Sequence, residues 1–322
     1  MSRPPQALDI SSIVLSSQDI ERILDGWILE RHPIGSAPWK AIEAHERRKM
    51  LGKLMKFKLR GVLPWLPHLA RYRNKDFIVR QYSKTWTEQP WPSLREPLTP
   101  RMRTAATWGD EGMVVRRGGL TRLSIEMLAR YIEATQPKSV LEVGSGSGRN
   151  LLLLATRFPD VSFTGLELTQ AGVDRANSEF ASDRKDPDMA AYAPWMVSGS
   201  GKSGSVVCIQ GSAAAMPFAD SSFDLVFSHA ALEQMENVRD AALREIARVA
   251  RSNIFMVEPF GNFNEDGFRP LAIRAKNYLT LRFEDIRNAG IEPEFSWAEW
   301  PRKITAGYGL VVGRRRMPGK NV

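Results

Sequence analysis

The sequence predicts an α/β fold: a Rossmann-like, doubly wound sheet of seven strands whose last pair runs antiparallel, preceded by an N-terminal helical extension. Three observations predict it. From Leu120 onward, short apolar runs at 139–143, 161–168, 206–210, 223–228 and 254–258 alternate with helical patterns, and such alternation builds a parallel sheet with helices on both faces. The first run passes into a glycine-rich turn and then a helix. After a helix that closes at Gly290, two runs near 294–300 and 306–314 follow closely, as in a hairpin at a sheet edge.

Residues 1–118 form the extension, rich in Trp, Pro and Arg, with no alternation of strand and helix patterns. Residues 45–57 read as a helix with Met50, Leu51, Leu54 and Phe57 on one face and Lys49, Lys53, Lys56 and Arg60 on another. Pro64 and Pro67 stop it. Basic residues over 47–60 opposite Leu, Met and Phe, followed by Trp65, read first as a solvated face packed through its apolar side. The alternative is peripheral contact with an anionic membrane.

The main domain, 119–322, opens with a helix through Ile125, Leu128, Ile132 and Glu133. Residues 178–205 are unusually polar and read as a mobile insertion covering the cleft. Gly201-Lys202-Ser203 within it resembles the end of a phosphate-binding loop. That motif needs its first glycine at Met196 and a helix after it, so the reading fails.

Composition narrows the function class. Of 322 residues, 43% are hydrophobic and 25% charged, the balance of a folded chain. No run approaches a bilayer span and the first residues lack a signal-peptide core, so a cytoplasmic location is expected. The single cysteine, Cys208, excludes an internal disulfide and a multi-cysteine zinc site, and no metal is expected. A formal charge of +9 favours an anionic partner.

The chemistry concentrates at three places. In Val140-Leu141-Glu142-Val143-Gly144-Ser145-Gly146-Ser147-Gly148-Arg149-Asn150, glycines let the backbone turn tightly and approach a ligand, and the helix start offers free N–H groups. Dinucleotide folds want G-x-G-x-x-G, whereas Gly144, Gly146 and Gly148 alternate here. Glu142 would repel a pyrophosphate and attract the cationic aminoacyl part of a sulfonium cofactor. Glu167 closes the second strand 19 residues beyond Gly148, where a carboxylate can accept both ribose hydroxyls. The third place runs from Gly211 and Ser212 through Pro217, Asp224 and Ser228-His229 to Glu233.

With these residues the chain resembles the class I S-adenosylmethionine-dependent methyltransferases, in the branch that includes the ubiquinone and menaquinone C-methyltransferases and many small-molecule O- and N-methyltransferases. The resemblance runs from about residue 120 to 314, through Glu245-Ile246-Ala247-Arg248-Val249 and the terminal hairpin. It implies S-adenosylmethionine as cofactor, with Glu142, Gly144 and Gly146 around the methionine portion and Ser145, Gly148 and Asn150 completing that turn. Glu167 would hold the ribose, Leu168 would cover one adenine face, and Ser212 and Ala213 would line the adenine side. The family usually has an acid after Gly211, and Ser212 departs from that. Ser228 and His229 should lie beside the sulfonium, with His229 as a candidate base, given its ordinary pKa of about 6.5, and Glu233 orienting it. Glu258-Pro259-Phe260 is equally an acceptor wall or an ordinary turn.

The expected acceptor is a small, glycan- or lipid-linked molecule, methylated on oxygen, nitrogen or carbon. Contacts to it are expected from the extension, from 108–117, from the insertion and from 261–278, where Asn262, Asn264, Arg269, Arg274 and Lys276 would suit an anionic or hydroxyl-rich molecule. A nucleic-acid methyltransferase ranks second, because Ser228-His229-Ala230-Ala231 stands where base-amine methylation usually has Asn/Asp-Pro-Pro-aromatic. A non-catalytic partner-binding subunit ranks third.

Overall fold

The structure is a computed structural model and describes residues 12–62, 75–88, 92–181, 187–196, 204–276 and 281–316. In the extension lie α1 (Ser17–Leu24), β1 (Ile28–Pro33), α2 (Ala37–Val62), α3 (Lys75–Glu88), β2 (Arg103–Trp108) and β3 (Glu111–Arg116). Then come α4 (Gly119–Thr135), β4 (Ser139–Val143), α5 (Arg149–Arg157), β5 (Ser162–Glu167), α6 (Gln170–Ala181), α7 (Pro187–Tyr192), β6 (Val206–Gln210) and β7 (Phe223–His229). The chain closes with α8 (Arg239–Val249), β8 (Ala250–Glu258), α9 (Arg269–Lys276), α10 (Phe283–Asn288), β9 (Ile291–Trp297), β10 (Arg302–Lys303) and β11 (Gly309–Arg315).

Seven strands form the main sheet in the order β6-β5-β4-β7-β8-β11-β9. All neighbours from β6 to β8 pair in parallel, and β11 runs antiparallel to both β8 and β9. This is the predicted doubly wound sheet. Val140, Leu141 and Val143 of β4 are fully buried, as a central strand covered on both faces requires. Asp224 at the start of β7 accepts from the backbone N–H groups of Lys138 and Ser139 at 2.9 and 3.0 Å, fixing the register of the two central strands.

The extension is helical as expected, but it also brings strands. β1, β3 and β2 form an antiparallel sheet with β10, a two-residue strand from the far end of the chain. Its strands are short and their apolar residues serve one shared core, so they leave no long alternating pattern in the sequence. Ile13, Leu15, Ile20, Ile23, Leu24 and Trp27 are buried in the same cluster as Leu123, Leu128 and Ile132 of α4 and Val140 of β4. The start of α1 is a capping box, with the Ser16 hydroxyl accepting from the Asp19 N–H at 3.1 Å and the Asp19 carboxylate accepting from the Ser16 N–H at 3.1 Å. Arg130 of α4 then ties Asp19 (2.7 Å) and the Val14 carbonyl (3.1 Å) to the domain.

The helix expected over 45–57 is part of α2. Its buried stripe runs through Trp39 and Met50 with Leu54 half-buried, while Leu51, a 100° step round the helix from Met50, lies beyond the edge of that stripe and is exposed. The side chains of Lys56, Phe57 and Arg60 lie outside the described residues.

The insertion differs more. α7 and the turn after it bury Met189, Tyr192 and Met196 in the core, away from the cleft. Arg122 of α4 is the reason: it is buried between the rings of Trp27 and Trp195, 4.7 and 4.6 Å from its guanidinium carbon, and burial lowers its pKa to about 10. Two indole faces attract the cation from both sides and hold the extension and the insertion to one helix. Residues 197–203, with the Gly201-Lys202-Ser203 stretch, lie outside the described residues.

Gly112 of β3 sits against the buried Trp39, where an added Cβ would come within 2.2 Å of the ring. Gly112→Ala is expected to destabilise the chain by about 1–3 kcal/mol through overpacking. Because the extension shares the main core, thermal denaturation followed by circular dichroism should show one transition at a lower midpoint. A separate early transition would show that the extension melts alone.

Candidate functional site

The carboxyl ends of β4, β5, β6 and β7 open into one cleft of about 350 Å³, the size range of small-molecule and cofactor sites. The glycine turn forms its base. Gly144 and Ser145 donate their N–H groups to the Leu166 carbonyl at 2.8 and 3.1 Å, so the turn after β4 is sewn to the end of β5. Gly144 has φ +76 and its missing Cβ would lie 2.6 Å from that of Ala231, while Gly146 has φ +57 and would strike the Trp86 ring at 2.7 Å. Both positions combine a left-handed backbone with contact on the open side, and only glycine meets both demands.

Two carboxylates face this turn from adjacent strands. Glu167, the last residue of β5, accepts from the Gly146 N–H at 3.0 Å through Oε2 and from the N–H and hydroxyl of Thr169 at 3.0 and 2.7 Å through Oε1. Three of its four acceptor positions are taken. It can hold one ribose hydroxyl as it stands; holding two displaces a Thr169 bond. Glu142 on β4 is buried; its Oε1 accepts from Asn150 Nδ2 at 2.6 Å, and its Oε2 has no hydrogen-bond partner. Burial raises its pKa to about 8, with the nearby Glu167 charge adding to the rise and Asn150 opposing it.

The opposite wall follows β7. Ser228 is buried at the strand end, His229 is half-buried in the wall, and Ala230 adopts φ +55, a strained conformation for a residue with a Cβ. Glu258, ending β8, holds this bend by accepting from the N–H groups of Ala231 and Leu232 at 3.0 and 3.1 Å. Burial, and then the Glu233 charge, raise its pKa to about 8. His229 moves the other way: burial, and then the Lys303 cation, lower its pKa to about 4. A neutral imidazole of such low basicity suits hydrogen-bond acceptance better than proton abstraction near neutrality.

Of the residues singled out in the sequence, Glu142, Gly144, Ser145, Asn150, Glu167, Leu168, Ser212, Ala213 and His229 line the cleft. Gly146 lies beneath Trp86, and Gly148 packs against Ala176 and Phe180 at the start of α5. The Ser212 hydroxyl turns back to accept from the Ala214 N–H at 3.3 Å. Glu233 is buried outside the cleft lining, where it accepts from the Tyr308 hydroxyl at 2.6 Å and from Gln234 at 2.9 Å. It is Tyr308 that lies against His229, ring to ring at 6.5 Å.

The expected acceptor contacts are mostly structural. Residues 108–117 build the β2–β3 hairpin, the buried Asn264 bonds the Phe260 and Gly307 carbonyls, and Asn262 caps α10 through the Phe283 N–H. Arg269 donates to the Thr107 hydroxyl at 3.0 Å. The side chains of Arg274 and Lys276 lie outside the described residues. The extension does reach the cleft, through Ile78, Tyr82 and Trp86 of α3. Their i, i+4, i+8 spacing is a one-sided helical stripe, a signal present in the sequence. Arg149, Thr169, Gln234, Met235, Asn237 and Val238 complete the wall.

Residues 141–257 match the family model of a methyltransferase domain. Over this segment the sequence is similar to a methyltransferase domain. Its kind uses S-adenosylmethionine, and the buried, unpartnered Oε2 of Glu142 beside an open glycine turn fits a ligand with a cationic end. Over 148 residues, 45% of this chain and 56% of the relative, the sequence is 30% identical to an O-methyltransferase of Aspergillus nomiae. Over 150 residues, 46% of this chain and 44% of the relative, it is 30% identical to the malonyl-[acyl-carrier protein] O-methyltransferase of Laribacter hongkongensis. Over 87 residues, 27% of this chain and 30% of the relative, it is 32% identical to the tRNA1(Val) (adenine(37)-N6)-methyltransferase of Vibrio parahaemolyticus. The chain thus spans from 30% to 56% of these relatives. The methyltransferase match begins in β4, so α3 and the second sheet's first three strands lie outside it.

The low basicity of His229 is open to direct measurement. By nuclear magnetic resonance its imidazole should titrate near pH 4, and Lys303→Met should move that midpoint upward. The unfolded chain protonates this histidine at its ordinary value of about 6.5 and the folded chain does not until about 4. Its contribution to stability is therefore whole above pH 6.5 and lost as pH falls towards 4. A midpoint near 6.5 in the folded protein would refute the buried, cation-flanked placement.

Proposed function

We propose that the chain transfers the methyl group of S-adenosylmethionine to a small-molecule acceptor bound between α3 and the 229–238 loop. One observation carries this reading: Glu142 and Glu167, on adjacent strand ends, face one glycine turn, and the former is buried with an unpaired oxygen. That arrangement suits a molecule with an ammonium at one end and a ribose at the other. Arg149, lining the cleft at the start of α5, gives the amino-acid carboxylate a cation. Leu166, Leu168 and Ala213 offer apolar surface to the base.

The bound cofactor supplies an activated methyl group. What the chain's residues do is position: holding a nucleophile in line in a closed cleft removes about 7–11 kcal/mol of barrier. Glu258 fixes the bend at Ala230 that follows His229 in the cleft wall, and a neutral His229 accepts a hydrogen bond from an acceptor hydroxyl or amine. An oxygen acceptor draws support from the two O-methyltransferase relatives. A lipid-linked acceptor at a membrane surface draws support from α2, which exposes Leu51 and Met55 beside Arg48. Among the described residues no helix is long and apolar enough to cross a membrane.

A second reading, methylation of nucleic acid, is favoured by the +9 charge and the tRNA-modifying relative. It ranks lower because α3 narrows the cleft to a small-molecule slot. Gel-shift binding to RNA with a steep salt dependence would reverse the order.

Calorimetry tests the main reading. Wild type is expected to bind S-adenosylmethionine, and Glu167→Ala to weaken it by about 10–100-fold, the range for a lost hydrogen bond to a charged group. At pH 6.5 the Glu142 carboxyl, with a pKa of about 8, is protonated in the free protein, and a cation placed beside it lowers that value. Binding should then release close to one proton, read from titrations in buffers of different ionisation enthalpy, and Glu142→Gln should abolish the release. No heat with wild type would end the reading.

A further inference from the structure

Tyr82 and Trp86 stand on α3, outside the segment that matches the methyltransferase family, yet both line the cofactor cleft. Their rings stack with centroids 5.5 Å apart and planes at 28°, so the two aromatic side chains brace each other in the cleft wall. Ile78, one turn earlier, extends it. The Trp86 ring lies directly over Gly146, where no side chain larger than hydrogen fits beneath it. Gly146 is the residue whose N–H holds Glu167, so the indole covers the loop between the two carboxylates. The indole Nε1 is buried without a hydrogen-bond partner, so what holds the ring in place is packing.

The position has a chemical consequence, which rests on the cofactor reading above. The sulfur of S-adenosylmethionine joins the amino-acid chain to the ribose. A molecule with its ammonium at Glu142 and its ribose at Glu167 therefore carries its sulfur between them, in the cleft that Tyr82 and Trp86 line beside the covered loop. Before transfer that sulfur is a sulfonium cation; afterwards it is a neutral thioether. An aromatic face attracts a cation through its quadrupole, most strongly for Trp, and has no such attraction for the thioether.

We propose that α3 is a donor-selecting wall: Tyr82 and Trp86 stabilise the cationic methyl donor in the cleft over the neutral product, S-adenosylhomocysteine. The extension thus takes part in recognising the charge state of the cofactor. The wall's attraction disappears with the charge once the methyl group has left.

The test compares the two ligands by calorimetry in wild type, Trp86→Leu, Trp86→Phe and Tyr82→Leu, each checked for a native circular-dichroism spectrum. Trp86→Leu keeps apolar bulk and removes the aromatic face. It is expected to weaken S-adenosylmethionine by about three- to tenfold more than S-adenosylhomocysteine, the range for a partly desolvated cation–π contact. Trp86→Phe, which keeps a ring, should hold most of the wild-type ratio, and Tyr82→Leu, the alternative if Trp86→Leu fails to fold, should shift it in the same direction by less. Equal weakening of both ligands, as mere loss of packing would give, or no change in either, overturns the proposal while leaving the cofactor reading intact. Failure of wild type to bind either ligand overturns both.

Discussion

The hydrogen bond from the Gly146 N–H to the Glu167 carboxylate is the contact on which the site depends. It joins the turn after β4 to the end of β5, so the two features that would hold the ends of a nucleoside-like ligand cannot move apart independently. Thr169 braces the same carboxylate from the other side, and Gly172 packs against it with no space for a Cβ. An acid at this position therefore has two tasks, fixing the loop and offering its remaining lone pair to a ligand, and a shorter Asp would have to give up one of them. The left-handed glycines follow from this tie, since the loop must rise over the carboxylate and still let Trp86 close on it.

Around that contact, charge is buried on both sides of the cleft. Glu142 and Glu258 are both fully buried and both shifted to about 8 by desolvation, while His229 is shifted down to about 4. In the free protein near neutrality these three groups are largely uncharged. The two carboxylates each leave one oxygen unmatched, and their roles differ by place: Glu258 spends its other oxygen on the Ala231 and Leu232 amides and shapes the bend, whereas Glu142 lines the cleft itself. A buried polar atom without a partner is a destabilised one, and a ligand that supplies the partner recovers that energy on binding.

The main sheet and the heart of this site were legible in the sequence, because they rest on local signals. A buried parallel strand reads as an apolar run, a tight turn reads as glycine, and Glu167 sits at a fixed distance from Gly148 along the chain. What escaped depends on packing between distant segments. β10 is two residues long and exists only because β2, nearly two hundred residues earlier, offers it an edge. Segment 187–196 sits inside the stretch read as a polar insertion but is itself mostly apolar, and its Trp195 is fixed by Arg122, a cation whose burial no local pattern reveals. Glu233 stands one helical turn from His229 in sequence, but Tyr308 takes its carboxylate. The stripe of Ile78, Tyr82 and Trp86 was visible in principle, though nothing local says which surface an amphipathic helix will cover.

That α3 covers the cleft changes the electrostatics beneath it. The attraction between Glu142 and a cation scales inversely with the local dielectric, and the Ile78, Tyr82 and Trp86 stripe of α3 along the cleft limits the water that can screen the pair. Burial makes an ionised carboxylate costly at Glu142, and its pKa rises to about 8. Aromatic wall and buried acid are therefore one device: the wall creates the low-dielectric space that makes the acid selective, and the acid supplies the charge that makes the enclosure useful. The family-matched segment contains the acid alone. The wall comes from the extension, anchored through the shared core and through Arg122 between Trp27 and Trp195, so the extension belongs to the site rather than beside it.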